Sequence, residues 1–260
     1  MRTWLFGLLV GVGVLWEAAA MPGRAAETAT VAVAANFARP LAALVEAFSR
    51  RCEDRLALRV VHGSTGGLYA QIRYGAPYHV FLAADADRPA RLVAQGHALA
   101  GSRFTYAVGR LALWQPAPGG ATVDGPAVLR ARSFRRLAVA NPDLAPYGAA
   151  AMAVLARLDL TEALASRLVR AENVGQAFAL TATGNADWGF VGLASVLARP
   201  NGVRGRWWAV PPGFHPPVRQ DAVLLSGGRD NRAAEAFLVF LQSDEAAALI
   251  GDFGYGVPAR

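Results

Sequence analysis

The sequence predicts an α/β protein of two lobes, each a mostly parallel sheet flanked by helices. Three observations carry that expectation. Short β-type apolar runs alternate with helical periods in the order β-α-β-α-β over residues 30–94. A second series of the same kind begins near residue 137. A long strand-like segment at 104–114 and a strand at 219–223 lie at the junctions, with 104–108 and 219–223 as the two expected crossings between lobes. With 260 residues the chain is long enough for one large or two small domains. The expected organisation is a leader over 1–26, a first lobe from 27–104 with 219–260, and a second lobe from 105–218.

In order, Thr30-Val31-Ala32-Val33-Ala34-Ala35 is a β-type run that ends at Asn36. Pro40 opens a helix with Leu41, Leu44, Val45 and Phe48 on one face. Leu56, Leu58 and Val60 alternate as a strand does, and the Gly-rich turn Gly63-Ser64-Thr65-Gly66-Gly67 follows. Ser64 or Thr65 caps the next helix, whose inner face holds Leu68 and Ile72. Residues 80–84 form a buried strand, and 89–94 begin a helix that Gly96 stops. In the second series, 137–140 is a strand, the loop Asn141-Pro142 to Pro146-Tyr147-Gly148 follows, and 149–158 is an Ala-rich helix. Glu172-Asn173-Val174-Gly175 precedes another helix, 187–192 is a buried strand, and the end of the chain is helical. No internal sequence repeat is visible.

The leader has Arg2, an apolar run over 4–16, and small-residue cleavage sites at Ala18-Ala19-Ala20 or Arg24-Ala25-Ala26. That run is short for a membrane span. Loss of 1–26 leaves 24 arginines against 18 carboxylates, a charge of +6. The expected product is a soluble exported protein, periplasmic in a double-membraned bacterium. All 26 basic residues are Arg, so mechanisms that need a Schiff-base or phosphate-clasping Lys are excluded. The arginines are scattered, which fits a mild field for small anions rather than a nucleic-acid surface. Cys52 is the sole cysteine; the flanking arginines could lower its pKa, but a silent thiol is expected.

Asn36 and Ser64/Thr65 both stand at carboxyl ends of strands that lead into helices, where ligands of such sheets gather. Helix starts there present unpaired N–H groups at the positive end of the dipole, and glycines allow close approach. This is a seat for an anion.

Five stretches, in order along almost the whole mature chain, resemble the solute-binding proteins of bacterial molybdate ABC importers. They are Val33-Ala34-Ala35-Asn36-Phe37; residues 63–72 from Gly63 to Ile72; Gly75-Ala76-Pro77 with Phe81-Leu82-Ala83-Ala84-Asp85; Asn141-Pro142 with Pro146-Tyr147-Gly148; and Glu172-Asn173-Val174. The ending Phe253-Gly254-Tyr255-Gly256 fits as well. The resemblance implies a type II periplasmic binding protein that closes on a tetrahedral oxyanion, molybdate or tungstate, through neutral hydrogen bonds. Carried over by position, the donors are the Asn36 side chain and N–H, the Ser64/Thr65 hydroxyl and N–H, and the Tyr147 and Val174 backbone N–H groups. No protein atom ligates the metal, and no cofactor is implied. The implied partners are the small oxyanion and an importer permease, with the protein itself a monomer and no enzyme. Some members add a Tyr hydroxyl from the strand after the Val motif. Here that strand reads Phe190-Val191-Gly192-Leu193, so water or another donor takes that place.

Three other readings compete. The same site could take sulfate or phosphate. A secreted hydrolase with Ser64 as nucleophile is the second, although His62-Gly63-Ser64-Thr65-Gly66 lacks the first glycine of the nucleophile elbow. The third is a structural or interaction protein whose motifs are only helix caps.

Overall fold

The computed structural model describes residues 26–52, 55–197 and 205–258. The expected leader over 1–26 lies outside them, apart from Ala26. The first series runs β1 (Glu27–Ala34), a short 3-10 turn (Ala35–Phe37), α1 (Ala38–Arg51), β2 (Leu56–Gly63), α2 (Thr65–Arg73), β3 (Val80–Leu82) and α3 (Asp87–Ala94). Then come β4 (Phe104–Gly109), β5 (Leu111–Pro116), β6 (Ala121–Thr122), α4 (Gly125–Ala131) and β7 (Leu137–Ala140). The second series continues with α5 (Pro146–Arg157), α6 (Thr161–Leu164), β8 (Leu168–Ala171), α7 (Val174–Ala182), β9 (Trp188–Gly192) and α8 (Leu193–Leu197). β10 (Gly205–Ala209), β11 (Val218–Leu224), α9 (Arg232–Leu241) and α10 (Asp244–Asp252) finish the chain.

Two sheets result, in the orders β2-β1-β3-β11-β4 and β6-β10-β5-β9-β7-β8. Both are mixed. The β2-β1-β3 and β8-β7-β9 triplets are parallel, as helix crossovers require. The strands that connect the lobes join them antiparallel: β11 on β3 and β4, β5 on β9 and β10. The two triplets are topologically the same, so β7 corresponds to β1, β8 to β2 and β9 to β3. In each sheet the strand order reverses beside the first strand of the series, and a crevice opens at the carboxyl ends there.

Packing explains why the local patterns hold. A 14-residue helix such as α1 is marginal alone, but it buries Leu41, Leu44 and Phe48 against β1 and the helix carrying Phe237 and Phe240. β1 is covered on both faces, which is why Val31-Ala32-Val33-Ala34 reads as a continuous apolar run. The second core gathers Leu111, Leu113, Val139, Val154, Leu155 and Phe190. It also reaches Ala34 and Ala84, at the ends of β1 and β3, through Tyr147 and Val174. The two lobes are thus packed together along the strand ends.

One expected element is corrected. Residues 104–114 are not one strand. β4 belongs to the first sheet and β5 to the second, and the chain changes sheets at Arg110. The Cys52 thiol is also not acidic: burial pushes its pKa up, against the pull of Arg51 and Arg55.

Candidate functional site

Four chain turns meet where the lobes touch: those after β1, β2, β7 and β8. Each places the start of a helical segment at a strand end, and the fate of its N–H groups can be counted. At α2, Ser64 is the cap, and its Oγ accepts from the Gly67 N–H at 3.2 Å. The Leu68 N–H returns to the Ser64 carbonyl, and the Gly66 N–H crosses to the Leu144 carbonyl of the other lobe at 2.8 Å. The Thr65 N–H has no acceptor among the described residues. At α7, Asn173 Oδ1 accepts from the Gln176 N–H at 2.9 Å, which leaves the N–H groups of Val174 and Gly175. At α5, Pro146 occupies the first position and has no N–H, Gly148 and Ala149 bond to the Ala145 carbonyl, and the Tyr147 N–H is left. In the turn after β1, Phe37 and Ala38 make the bonds of the 3-10 turn back to Ala34 and Ala35, and the Asn36 N–H is left.

These starts are close together and dry. Asn36, Ser64, Thr65, Tyr147 and Val174 are all buried, none more than 7% exposed. Beyond the Gly66 bond, a Cβ on Gly175 would lie 3.5 Å from the Ala35 Cβ, so the α7 start abuts the turn after β1. Gly66 itself has no room for a side chain, since its Cβ would come within 3.0 Å of Leu144 backbone. A second clasp lies beside it. Asp85 holds the Arg88 guanidinium at 2.5 Å, and Arg88 Nη2 donates to the Asp143 carbonyl at 2.8 Å.

The hydroxyls differ in their duties. Ser64 Oγ spends its acceptor on the cap, and Thr65 Oγ1 accepts from the Ala84 N–H at 3.1 Å, tying α2 to the end of β3. Each retains its proton for donation. The Asn36 side chain is different. Its Nδ2 donates to Gln220 Oε1 at 2.9 Å and to the Tyr255 hydroxyl at 3.2 Å, so both protons are committed within the protein. The donor Asn36 still has free is its backbone N–H.

Behind the turns lies a buried polar network that sequence reasoning did not assemble. Gln220 Oε1 also accepts from the Tyr106 hydroxyl at 3.1 Å, and Gln220 Nε2 donates to the Tyr147 hydroxyl at 3.3 Å. Tyr255 donates to the Asn36 carbonyl at 2.8 Å. Burial pushes the pKa of Tyr106, Tyr147 and Tyr255 up, so all three stay neutral phenols. Asn36 and Tyr147 are legible in the sequence as site residues and Tyr255 as part of the terminal Gly-Tyr-Gly; Tyr106 and Gln220 carry no such signal. The Tyr147 ring passes 3.6 Å from the place a Cβ on Gly192 would take.

The charged groups beside these turns are paired with one another. Asp85 pairs with Arg88, and Asp221 pairs with Arg103 at 2.6 Å and accepts from Thr105 at 2.7 Å. Among the described residues no catalytic base is in hydrogen-bond contact with Ser64, and His62, two residues before it, is exposed. The arrangement can hold an anion through dipoles; it offers no proton relay to activate Ser64.

The comparisons agree with this geometry. The profile of the family described as bacterial extracellular solute-binding protein matches residues 29–256. The molybdate-binding protein ModA of Azotobacter vinelandii is 45% identical over 248 residues, 95% of each chain. ModA of Rhodobacter capsulatus is 41% identical over 236 residues, covering 91% of this chain and 90% of that one. The solved Azotobacter vinelandii periplasmic molybdate-binding protein superposes with a TM-score of 0.83 at 39% identity, over 89% of this chain and all of that one. Such identity over nearly the whole length, on the same two-sheet architecture, leaves one conclusion: the chain belongs to the bacterial extracellular solute-binding proteins and, within them, to the molybdate-binding protein family.

Proposed function

We propose that this protein captures molybdate, with tungstate as an alternative guest, in the periplasm and delivers it to the membrane permease of an ABC importer. A signal peptide over 1–26 directs export. The guest sits between the lobe that carries the first sheet, β4 and β11 included, and the lobe that carries the second. It is a binding protein, without enzymatic activity, and acts as a monomer. Its donors are the N–H groups of Asn36, Thr65, Tyr147 and Val174 and the hydroxyls of Ser64 and Thr65. The single observation that carries this reading is the N–H count. Four buried turns, two from each lobe, retain donors with no acceptor among the described residues, and Arg88 beside them is paired with Asp85.

A buried N–H without an acceptor is costly, and an oxyanion meets several at once. Each charge-assisted bond contributes about 1.5–3 kcal/mol, so a handful can offset the drying of a dianion. Neutral donors carry no fixed countercharge, which lets the ion leave when the lobes part. Size selects among ions: sulfate is smaller than molybdate and leaves donors unmet in a cleft fitted to the larger ion.

Isothermal titration of the mature protein with molybdate, tungstate and sulfate tests the reading. Molybdate and tungstate should bind tightly and sulfate at least about a hundredfold more weakly, the discrimination a hydrogen-bonding site gives. Sulfate binding as tight as molybdate would overturn the specificity, and no binding of any of the three would overturn the function.

A further inference from the structure

A fully buried side chain with three hydrogen bonds is not among the proposed donors. Gln220 is fully buried on β11, the strand by which the chain returns from the second lobe to the first. A buried amide costs free energy wherever its hydrogen-bonding capacity is unmet. Here Oε1 accepts twice, from Asn36 and Tyr106, and Nε2 donates to Tyr147. Asn36 and Tyr147 stand at equivalent places, after β1 and after β7, and each carries one of the unanswered N–H groups on its own backbone. One amide therefore links the donors of both lobes.

The surroundings are built around it. The pairing of β11 with β4 slips in register between Gln220 and Asp221. Such a bulge re-aims side chains. It lets Gln220 face the seam while Asp221 turns to Arg103 and Thr105. Opposite lies Gly109, where a Cβ would fall 2.2 Å from the Tyr147 hydroxyl and 2.6 Å from Gln220 Nε2. Only glycine leaves space for the amide and the phenol together.

We propose that Gln220 is a positioning residue: its neutral amide holds the Asn36 and Tyr147 backbone donors at the separation that a closed, anion-filled cleft needs. The proposal rests on the oxyanion reading above. Its chemistry is specific to an amide. A carboxylate of the same shape could accept from Asn36 and Tyr106 but could not donate to Tyr147, and it would set a negative charge beside a dianion. The titratable groups facing position 220 are the phenols of Tyr106, Tyr147 and Tyr255, all held neutral by burial. Asp221 and Asp85 lie further off and are paired with Arg103 and Arg88.

The test titrates molybdate into wild type, Gln220→Glu and Gln220→Met at several pH values, with melting curves to confirm that each variant is folded. Burial and the neighbouring dianion raise the pKa of a glutamic acid at 220, so at about pH 8.5 Gln220→Glu should bind at least about tenfold more weakly than wild type. Once protonated, its hydroxyl can replace the amide donor, so the deficit should close to within about threefold at about pH 6. Gln220→Met should be weaker by a similar factor at every pH, and wild type should be flat across the window. A residue with only a structural role would lower the melting temperature of both variants without a pH-dependent affinity gap; that result, or unchanged affinity in Gln220→Glu at high pH, overturns the proposal. Failure of wild type to bind molybdate would instead overturn the function, and the two failures are distinguishable.

Discussion

Two regions of the molecule gather backbone N–H groups around a point fit for an oxyanion, and they resolve the need in opposite ways. Where the chain enters β7, the N–H groups of Arg135 and Arg136 both donate to Asp187 Oδ2, each at 2.8 Å. The protein supplies that oxyanion itself, and the bonds hold the Asp187 carboxyl below the usual carboxylate range. Where the lobes meet, the N–H groups of Asn36, Thr65, Tyr147 and Val174 are given no carboxylate. Asp85 and Asp221 are turned instead to Arg88 and Arg103. The difference teaches what each region is for. A permanent contact is built with a residue; a contact that must form and break is left to a solute.

The comparison breaks most sharply if a carboxylate is installed in the cleft. Asp is as good a helix cap as Ser, so Ser64→Asp should keep α2 intact and leave the unliganded melting temperature nearly unchanged. Two unit charges about 4 Å apart repel by about 4 kcal/mol at an effective dielectric of 20, and the guest carries two. Molybdate affinity should therefore fall at least about a hundredfold by titration at pH 8, allowing for partial protonation of the new acid. The matching change at the α10 cap, Ser243→Asp, where Oγ accepts from the Ala246 N–H at 3.2 Å, should leave binding unaltered. Wild-type affinity in Ser64→Asp would place the anion elsewhere.

A milder change sharpens the same contrast. Thr65→Ala removes one hydroxyl donor and the tie to the Ala84 N–H. A lost charge-assisted bond of about 1.5–3 kcal/mol is a loss of about tenfold to a hundredfold in affinity. Thr65→Ser should restore most of it, because the hydroxyl returns. If Thr65→Ala binds like wild type while Ser64→Ala does not, Ser64 is the hydroxyl donor and the role of Thr65 is to brace α2 against β3.

Both mutations were conceivable from sequence, and the reason is local. Ser64 before Thr65-Gly66-Gly67 is a cap with glycines, and caps are written in contiguous residues. The parallel triplets were also legible, since strands buried on both faces read as apolar runs such as Val31-Ala32-Val33-Ala34. What was not legible depends on the chain meeting itself. Residues 104–114 look like one strand because nothing local marks the change of sheet at Arg110. β10 carries Arg206 and two part-exposed Trp, and gives no buried run. The match between the two lobes lies in backbone topology, so no sequence repeat announced it. Asn36 read as a side-chain donor because a turn amide is free until something occupies it; Gln220 and Tyr255 do so from 184 and 219 residues away. Gln220 in a strand looks like an ordinary outward polar residue, and only its three distant partners make it a hub.

The smallest expected effect lies at the built-in oxyanion and serves as the control for the comparison. Asp187 is partly exposed, so solvent screens much of its pull; its charge contributes about half a kcal/mol. The sign follows from the lowered pKa. A carboxyl more acidic in the folded than in the unfolded state stabilises the fold above the unfolded value near about pH 4, and that contribution is lost as pH falls through the folded value. Asp187→Asn keeps an acceptor for the Arg135 and Arg136 N–H groups but removes the charge. It should lower the melting temperature by about 1–2 °C at pH 7, the shift expected for so small a loss in a chain of this size. Once the pH has fallen below the folded value, the variant and wild type should converge, because both are then neutral at this position. Molybdate affinity should not change, since Asp187 sits at the entry of β7 and the cleft turns lie at strand exits. A melting difference that persists in acid would show that Asp187 acts by shape rather than charge, and the parallel between a resident carboxylate and a visiting oxyanion would lose its electrostatic basis.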